Sequence, residues 1–371
     1  MSVALQGDAP LGSDQIPRLD FELATGCDHR CGHCYNVWTA SDGDAQAAFS
    51  SKRPLKTPEL LALMDKAVVQ SGAHHLTLTG GEPLLRRDAL DIIEHACGLV
   101  RSVTLITNGS HVTEAAAARI GKAGVRQVQL TLLAGDRELH DKLKGAVCFD
   151  DTVRAAVRLV AAGVPVQVCY VAMRENHGQL RLVMELCAAL GVKGLSYNRM
   201  SPTGRAIHHV ARLLPSADEI EQDLDIADAL GERWGISVGT AMPIPPCLID
   251  ITKYRWIRFG FCSTGSQSPN IVIDPAGDVR SCNLSDTVLG NLVEQDWAEV
   301  FANPYPRTFK STVPDICKGC HYERSCQGGC KESAHATFGS RTAPDPLVWM
   351  AQNPDARDAL PALIPQHRPP G

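Results

Sequence analysis

The sequence predicts an α/β protein built on a parallel sheet, with a smaller cysteine-rich region behind it. Three observations carry that reading. Strand-like runs alternate with helix-like runs six times between residues 19 and 198. The conspicuous glycine, asparagine and cysteine motifs fall where the strands end. From about 260 to 335 the helical pattern fades, and six cysteines appear in that stretch. Such alternation implies parallel strands with helices outside them. Six βα units make either an open doubly wound sheet or a partial barrel. In both, ligands bind at the C-terminal ends of the strands.

The elements follow in order. Residues 1–17 read as a flexible lead. Leu19–Thr25 alternates apolar and polar residues, a first strand running into a cysteine loop. Residues 39–56 read as loop. Thr57-Pro58-Glu59 opens a helix to about Ser71, with Thr57 as cap and Pro58 in the first turn. Strands then fall at His75–Thr79, Val103–Ile106, Gln127–Leu132, Pro165–Val171 and Lys193–Asn198. Helices fall at about 88–99, 113–123, 150–162, 177–190 and 216–234. Pro202-Thr203-Gly204-Arg205 breaks the alternation. Pro243, Pro245 and Pro246 mark a boundary near 240–250. Asn270–Cys282 reads as a hairpin turning at Pro275-Ala276-Gly277-Asp278. The expected organisation is a lead (1–17), a sheet domain (18–240), a cysteine-rich domain (241–335) and an irregular tail (336–371).

With 371 residues the chain has room for roughly two domains. Its net charge is −5, with no global basic excess to attract nucleic acid or a membrane surface. No apolar run approaches the roughly 18 residues of a membrane span, and the N-terminus lacks a signal-peptide pattern. A cytoplasmic protein is expected. A disulfide framework suits small secreted chains, so the clustered members of its fourteen cysteines read as metal ligands. Cys97, Cys148, Cys169 and Cys187 are scattered singly and read as small buried hydrophobes.

Cys27-x-x-x-Cys31-x-x-Cys34 is the first ligand set. Three thiols are one short of a closed zinc site and one short of a conventional iron–sulfur site. Taken literally, they hold a 4Fe–4S cluster with one iron open to a ligand. The competing reading is a zinc knuckle closed by His29 or His33. Gly80-Gly81-Glu82-Pro83 ends the second strand. Its glycines permit close backbone approach, Glu82 can accept hydrogen bonds from an ammonium group, and Pro83 stiffens the turn.

The cysteine loop, followed by Tyr35 and placed after a first strand, resembles the radical S-adenosylmethionine (SAM) superfamily. Gly80–Pro83 resembles that family's glycine-rich motif. The resemblance spans about residues 18–205 and implies a partial (β/α)6 barrel. It implies that SAM chelates the open iron and that Tyr35, Gly80, Gly81, Glu82 and Pro83 belong to its site. Thr107, Asn108 and Thr131 would meet its ribose and carboxylate. Thr131 stands where many relatives carry serine. His140–Gly145 resembles a segment of the peptide-modifying branch and reads as mainly structural. The activity implied is reductive cleavage of SAM to a 5′-deoxyadenosyl radical that abstracts hydrogen from a substrate.

Cys262, Cys282, Cys317, Cys320, Cys326 and Cys330 form the second ligand set, against which a pair of structural zinc sites is weighed. Gly277-x4-Cys282 and Cys317-x2-Cys320-x5-Cys326-x3-Cys330 resemble the SPASM domain, an extension holding two auxiliary 4Fe–4S clusters. The resemblance assigns Cys262, Cys282 and Cys330 to one cluster and Cys317, Cys320 and Cys326 to the other. The closing cysteine is absent, and Asp345 stands near its place as a possible ligand of the second cluster. Cys247 is the nearby candidate for the first cluster's fourth ligand.

Family members of this kind most often modify ribosomally made peptides, by cross-linking or epimerisation among other changes. That is the expected function, with a separate leader-peptide-recognition protein and a flavodoxin- or ferredoxin-like electron donor as partners. Asn283 follows Cys282 where sulfatase-maturing relatives carry an aspartate base, which argues against that branch. The alternatives are cofactor synthesis resembling the pyrroloquinoline quinone or heme d1 pathways, small-molecule radical chemistry, and a non-enzymatic zinc or iron–sulfur scaffold.

Overall fold

On the first strand, β1 (Arg18–Ala24), Leu19, Phe21 and Leu23 are wholly buried in the apolar core, while Asp20 and Glu22 point the other way. Successive side chains of a strand face opposite sides, so one face of the sheet is apolar and the other polar. The next strands repeat the division. Leu76, Leu78, Leu105, Val128 and Leu130 join the core, while Thr77, Thr79, Thr104, Gln129 and Thr131 take the other face. A doubly wound sheet would need apolar side chains on both faces. One apolar face and one polar face fit a curved sheet with helices outside and a polar lumen inside.

The computed structural model describes residues 18–39, 53–266 and 269–365. The expected lead, and most of the expected loop at 39–56, lie outside the described residues. After β1 come α1 (Thr57–Ser71), β2 (His75–Gly80), α2 (Ala89–Leu99), β3 (Ser102–Thr107), α3 (Glu114–Ala123) and β4 (Gln127–Thr131). Next are α4 (Arg137–Lys144), α5 (Phe149–Ala161), β5 (Val166–Ala172), α6 (Leu180–Ala189), β6 (Gly194–Arg199), α7 (Val210–Leu213) and α8 (Ala217–Trp234). The chain continues through β7 (Ser237–Thr240), β8 (Ile257–Phe259), β9 (Ile271–Ile273), β10 (Asp278–Arg280) and β11 (Val288–Asn291). It ends with α9 (Trp297–Phe301), α10 (Tyr305–Ser311), α11 (Glu323–Cys326), α12 (Lys331–Phe338), α13 (Pro346–Gln352) and α14 (Leu360–Leu363).

β1 to β8 pair in sequence order and in parallel, the order of a barrel wall. The sheet also crosses the boundary expected near 240–250. β8 pairs with β7, and β9 returns to pair in parallel with β1 on the opposite edge. β10 and β11 extend that edge antiparallel, with β9 and β10 forming the expected hairpin. The cysteine-rich region therefore grows directly out of the barrel's first strand.

Several elements differ from expectation, among them three that bear on the site's frame. The cap position of α1 is Lys56, whose N–H donates to Glu59 (2.8 Å), while Thr57 turns its hydroxyl to Asp88. α4 was not anticipated. It is short, and Asp136 caps it by accepting from Leu139 N (2.8 Å). Residues 346–363, expected to be irregular, are helical, and they bury Leu347, Val348, Met350 and Leu360. Their prolines explain the misreading. Pro346 and Pro361 occupy first-turn positions, where proline starts a helix rather than breaking it.

Candidate cluster and cosubstrate site

The cysteine loop is held from three sides by backbone contacts. From β2, Gly81 N donates to Ala24 O (2.6 Å) and Glu82 N to Gly26 O (2.9 Å). A Cβ on Gly80 would run into Ala24 O, and one on Gly81 into Gly26 O; Gly80 also adopts φ +132°. The glycines are needed here for packing against the cysteine loop itself, where ligand approach had been the expected reason. From α4, Arg30 N donates to Lys144 O (3.2 Å), and a Cβ on Gly145 would lie 2.6 Å from Arg30 O. From the loop after β6, Thr203 Oγ1 donates to Tyr35 O (3.1 Å), Ala206 N to Cys34 O (3.1 Å) and the Arg205 guanidinium to Cys31 O (3.3 Å).

Cys27, Cys31 and Cys34 converge within this frame. Burial raises the Cys27 thiol to about 12, and Cys31 opposes its ionisation further. Burial raises Cys31 as well, Lys144 opposes the shift, and Cys34 adds to it. His29 N points at Cys27 Sγ (3.4 Å). Cys27 is exposed and Cys31 and Cys34 are half-buried, so the three thiols are gathered at an accessible opening, which suits a shared cationic centre. The two histidines of the zinc alternative each commit one contact elsewhere. His29 Nε2 meets Ser110 Oγ (3.0 Å), and His33 bonds the backbone of Leu143. All fourteen cysteines are free of disulfides.

The expected SAM-site residues cluster at the ends of β2, β3 and β4, and most of them brace the loops. Glu82 is fully buried; it accepts from Thr107 Oγ1 (2.7 Å) and Leu84 N (3.0 Å) on Oε1 and from Asn108 N (2.7 Å) on Oε2. A carboxylate oxygen has two lone pairs, so Oε2 keeps one acceptor direction for an ammonium group. Pro83 is buried in the single turn that follows. Asn108 Nδ2 donates to Asp28 Oδ1 (2.8 Å), tying β3 to the cysteine loop. Thr131 ends β4 half-buried and stands level with Cys169 of β5 on the lumen face.

Tyr35 leads from this frame into the lumen. Its phenol is raised by burial and by the nearby Glu22 carboxylate, and it hydrogen-bonds Asn283. The sequence reading missed Asp20 and Glu22, although acids alternating with Leu19, Phe21 and Leu23 were the available signal. Burial raises the Asp20 carboxyl against hydrogen bonds from Asn270 (Nδ2 to Oδ2, 2.7 Å) and Thr77. Burial lifts Glu22 to about 7 despite the Arg280 guanidinium at 2.5 Å. Arg280 also donates to Asn283 O (3.3 Å) and Ser285 O (3.0 Å), fixing the loop after Cys282. Asn270 and Asn283 thus place the cysteine-rich region directly beside the lumen.

The remaining thiols divide into two groups. Cys282 is raised by burial and then by Cys262 and Cys330. Leu284 N points at Cys282 Sγ and Ser333 N at Cys330 Sγ, both at 3.4 Å. In the other group, burial raises Cys317, with Cys247 and Cys320 adding to it. Cys247 was expected with the first group. Partial burial raises its thiol, Cys320 and Asp345 add to the shift, and Cys317 and Cys326 feel its charge. Asp345, the expected carboxylate ligand, is already used: it is fully buried and paired with Arg199. It also accepts from Cys330 N (2.7 Å) and Leu347 N (2.9 Å).

Comparison with known proteins agrees with this geometry. The model for the radical SAM superfamily matches residues 21–187, and an iron–sulfur cluster-binding domain model (SPASM) matches 262–321. The chain belongs to the radical SAM superfamily. This radical SAM enzyme is 26% identical over 349 residues to the PqqA peptide cyclase of Methylocella silvestris, covering 92% of this chain and 89% of that one. It is 28% identical over 344 residues to the mycofactocin maturase MftC of Mycobacterium tuberculosis (90% and 83% covered). It is 26% identical over 362 residues to the AdoMet-dependent heme synthase of Oleidesulfovibrio alaskensis (91% and 88%). Its fold matches Streptococcus suis SuiB bound to the precursor peptide SuiA, with TM-score 0.69, 16% identity and 90% and 75% coverage. It also matches anSMEcpe with bound AdoMet, with TM-score 0.63, 17% identity and 93% and 97% coverage. The superfamily's 4Fe–4S cluster and SAM, and the auxiliary iron–sulfur clusters of a SPASM region, are this enzyme's cofactors. Among the described residues no helix is long and apolar enough to cross a membrane.

Proposed function

We propose that this radical SAM enzyme matures a ribosomally made peptide, forming a cross-link or inverting a residue, and that its overall reaction is an oxidoreduction. The observation that carries the proposal is the lumen shared by the barrel and the cysteine-rich region. Tyr35, Asp20 and Glu22 from the barrel meet Asn270, Asn283 and Arg280 there. Relatives named as a peptide cyclase and a mycofactocin maturase align over about nine-tenths of the chain, which supports a peptide as the occupant.

In this reading Cys27, Cys31 and Cys34 hold the first cluster, which with SAM supplies the hydrogen-abstracting radical. Glu82 Oε2 and the Gly80–Pro83 backbone orient the cosubstrate's amino group, and Thr131 meets its polar edge. Thr107 and Asn108 keep Glu82 in place. Asp20 and Tyr35 bind polar peptide groups in the lumen, and Asn283 holds the Tyr35 hydroxyl. A separate leader-recognition protein, a flavodoxin- or ferredoxin-like donor and a cytoplasmic setting belong to the same proposal.

The test is anaerobic turnover with SAM, dithionite and short peptides encoded beside the gene. A peptide mass change that accompanies 5′-deoxyadenosine is expected, and Cys27, Cys31 and Cys34 replaced together by alanine should abolish both. The proposal fails if 5′-deoxyadenosine forms while every peptide returns unmodified. The relative named as a heme synthase favours the second reading, a cofactor precursor as substrate. Deuterium transfer from a labelled tetrapyrrole into 5′-deoxyadenosine would establish it.

A further inference from the structure

Cys247 stands 70 residues before Cys317 in the chain, outside the six-cysteine pattern. It sits on a turn in which Leu248 N donates to Pro245 O (3.0 Å). Ile244 and Ile249 on either side are buried in the core and anchor that turn, while Cys247 itself is exposed. Arg199 Nε holds Pro243 O (2.7 Å), and the same guanidinium pairs with Asp345, which accepts from Cys330 N (2.7 Å). One buried arginine therefore ties the Cys247 turn to the carboxylate lying against the auxiliary cysteines. Gly329 confirms how tightly Asp345 packs there, since a Cβ on it would lie 2.6 Å from Asp345 Oδ2.

Beside Asp345 the chain that follows Cys326 takes a left-handed path. Gln327, Gly328 and Gly329 have φ of +53°, +88° and +80°, and Gln327 is the sole non-glycine with positive φ among the described residues. Gly329 N donates to Cys326 O (3.1 Å), a Cβ on Gly328 would lie 3.7 Å from Cys317 Sγ, and Cys247 is the charge that Cys317 feels most strongly. A left-handed non-glycine residue costs energy that the surroundings must offset.

We propose that Cys247 is the fourth ligand of the auxiliary cluster held by Cys317, Cys320 and Cys326. This proposal rests on the auxiliary clusters assigned to the enzyme above. The ligand that the sequence lacks after Cys330 is supplied from before the region, and Asp345 serves as a staple. The cluster on Cys262, Cys282 and Cys330 is then the one left with three thiols, beside Asn283 and the lumen. Four cysteines close a 4Fe–4S cluster, whereas three leave an iron available.

Alkylation mapping tests the assignment in the whole protein without a substitution at Cys247. Apo and anaerobically reconstituted enzyme are treated briefly with iodoacetamide, and each cysteine is quantified by mass spectrometry. Cys247 is exposed, so a bystander thiol would label equally in both forms. Protection of Cys247 by about tenfold or more, alongside Cys317, Cys320 and Cys326, is expected, because a metal-bound thiolate does not react as a free one. In a variant with Cys317, Cys320 and Cys326 replaced by alanine, Cys247 should label again. With Cys262, Cys282 and Cys330 replaced, it should stay protected. Labelling of Cys247 while the other three are protected overturns this assignment alone. So does protection that vanishes with the Cys262 set. Labelling of all four overturns the auxiliary cluster and with it the underlying reading.

Discussion

Replacing Asp345 by alanine probes the joint between barrel and auxiliary region. The carboxylate and its partner Arg199 are both essentially inaccessible to solvent. Removing the anion leaves a buried guanidinium with Pro243 O (2.7 Å) as its neutral partner among the described residues. Breaking a buried pair from one side costs about 3–5 kcal/mol, because the remaining charge is uncompensated. Cys330 N and Leu347 N lose their acceptor as well, at about 1–3 kcal/mol for each donor that stays buried and unsatisfied. These costs overlap, so a loss of about 4 kcal/mol or more is expected, a large share of the ~5–15 kcal/mol that holds a typical domain. Urea unfolding of the reduced apo-protein, followed by circular dichroism, measures it. The paired change Arg199→Met with Asp345→Leu should recover part of the loss, since apolar groups of similar volume can replace a buried pair. If D345A falls within about 1 kcal/mol of wild type, or the paired variant is weaker than D345A, the staple reasoning is refuted.

Other predictions follow from the same residues. Glu82→Gln sets an amide against at least one of the donors it now accepts, so SAM affinity of the reconstituted enzyme should fall about tenfold and further in E82A; unchanged calorimetric affinity in E82A would remove Glu82 from the site. Gly81→Ala puts a methyl into Gly26 O, so anaerobic reconstitution should lose about four irons per chain, the content of one cluster, while auxiliary iron stays; full iron content would contradict the packing role. Asp223 on α8 is lifted to about 7 by burial, against a hydrogen bond from Tyr197 (3.2 Å). Its folded value exceeds the unfolded one, so its contribution is complete below about pH 4 and is lost as pH rises through 7, by up to about 4 kcal/mol. Asp223→Asn should therefore raise the unfolding midpoint at pH 8 relative to wild type and narrow the difference toward pH 5; parallel pH profiles would refute the linkage.

Much of the fold was legible because strand and helix periodicity are local. Leu19-Asp20-Phe21-Glu22-Leu23 announces a strand with one apolar and one polar face. What escaped was short or depended on position. β7 and β8 have four and three residues, too few to show a period, and they are defined by the neighbours they pair with. The prolines of α13 and α14 look like breakers until their first-turn positions are known. Asp20 and Glu22 were visible as acids on a strand, but not as lumen groups facing Asn270 and Arg280.

By itself the sequence determined the chemistry on offer. The spacing of Cys27, Cys31 and Cys34, the strand-end Gly80–Pro83 and the Cys317–Cys330 pattern are short-range features, so their meaning survives without coordinates. Only the tertiary structure decided how those parts are used. Glu82 became a brace because β3 brings Thr107 and Asn108 to it, and Asp345 became a staple because β6 delivers Arg199. The place proposed for Cys247 beside Cys317, Cys320 and Cys326 depends on Ile244 and Ile249, which anchor its turn in the core. Contacts across such separations leave no periodic trace in a sequence; they are set by which strands pair and which core residues anchor the turns between them.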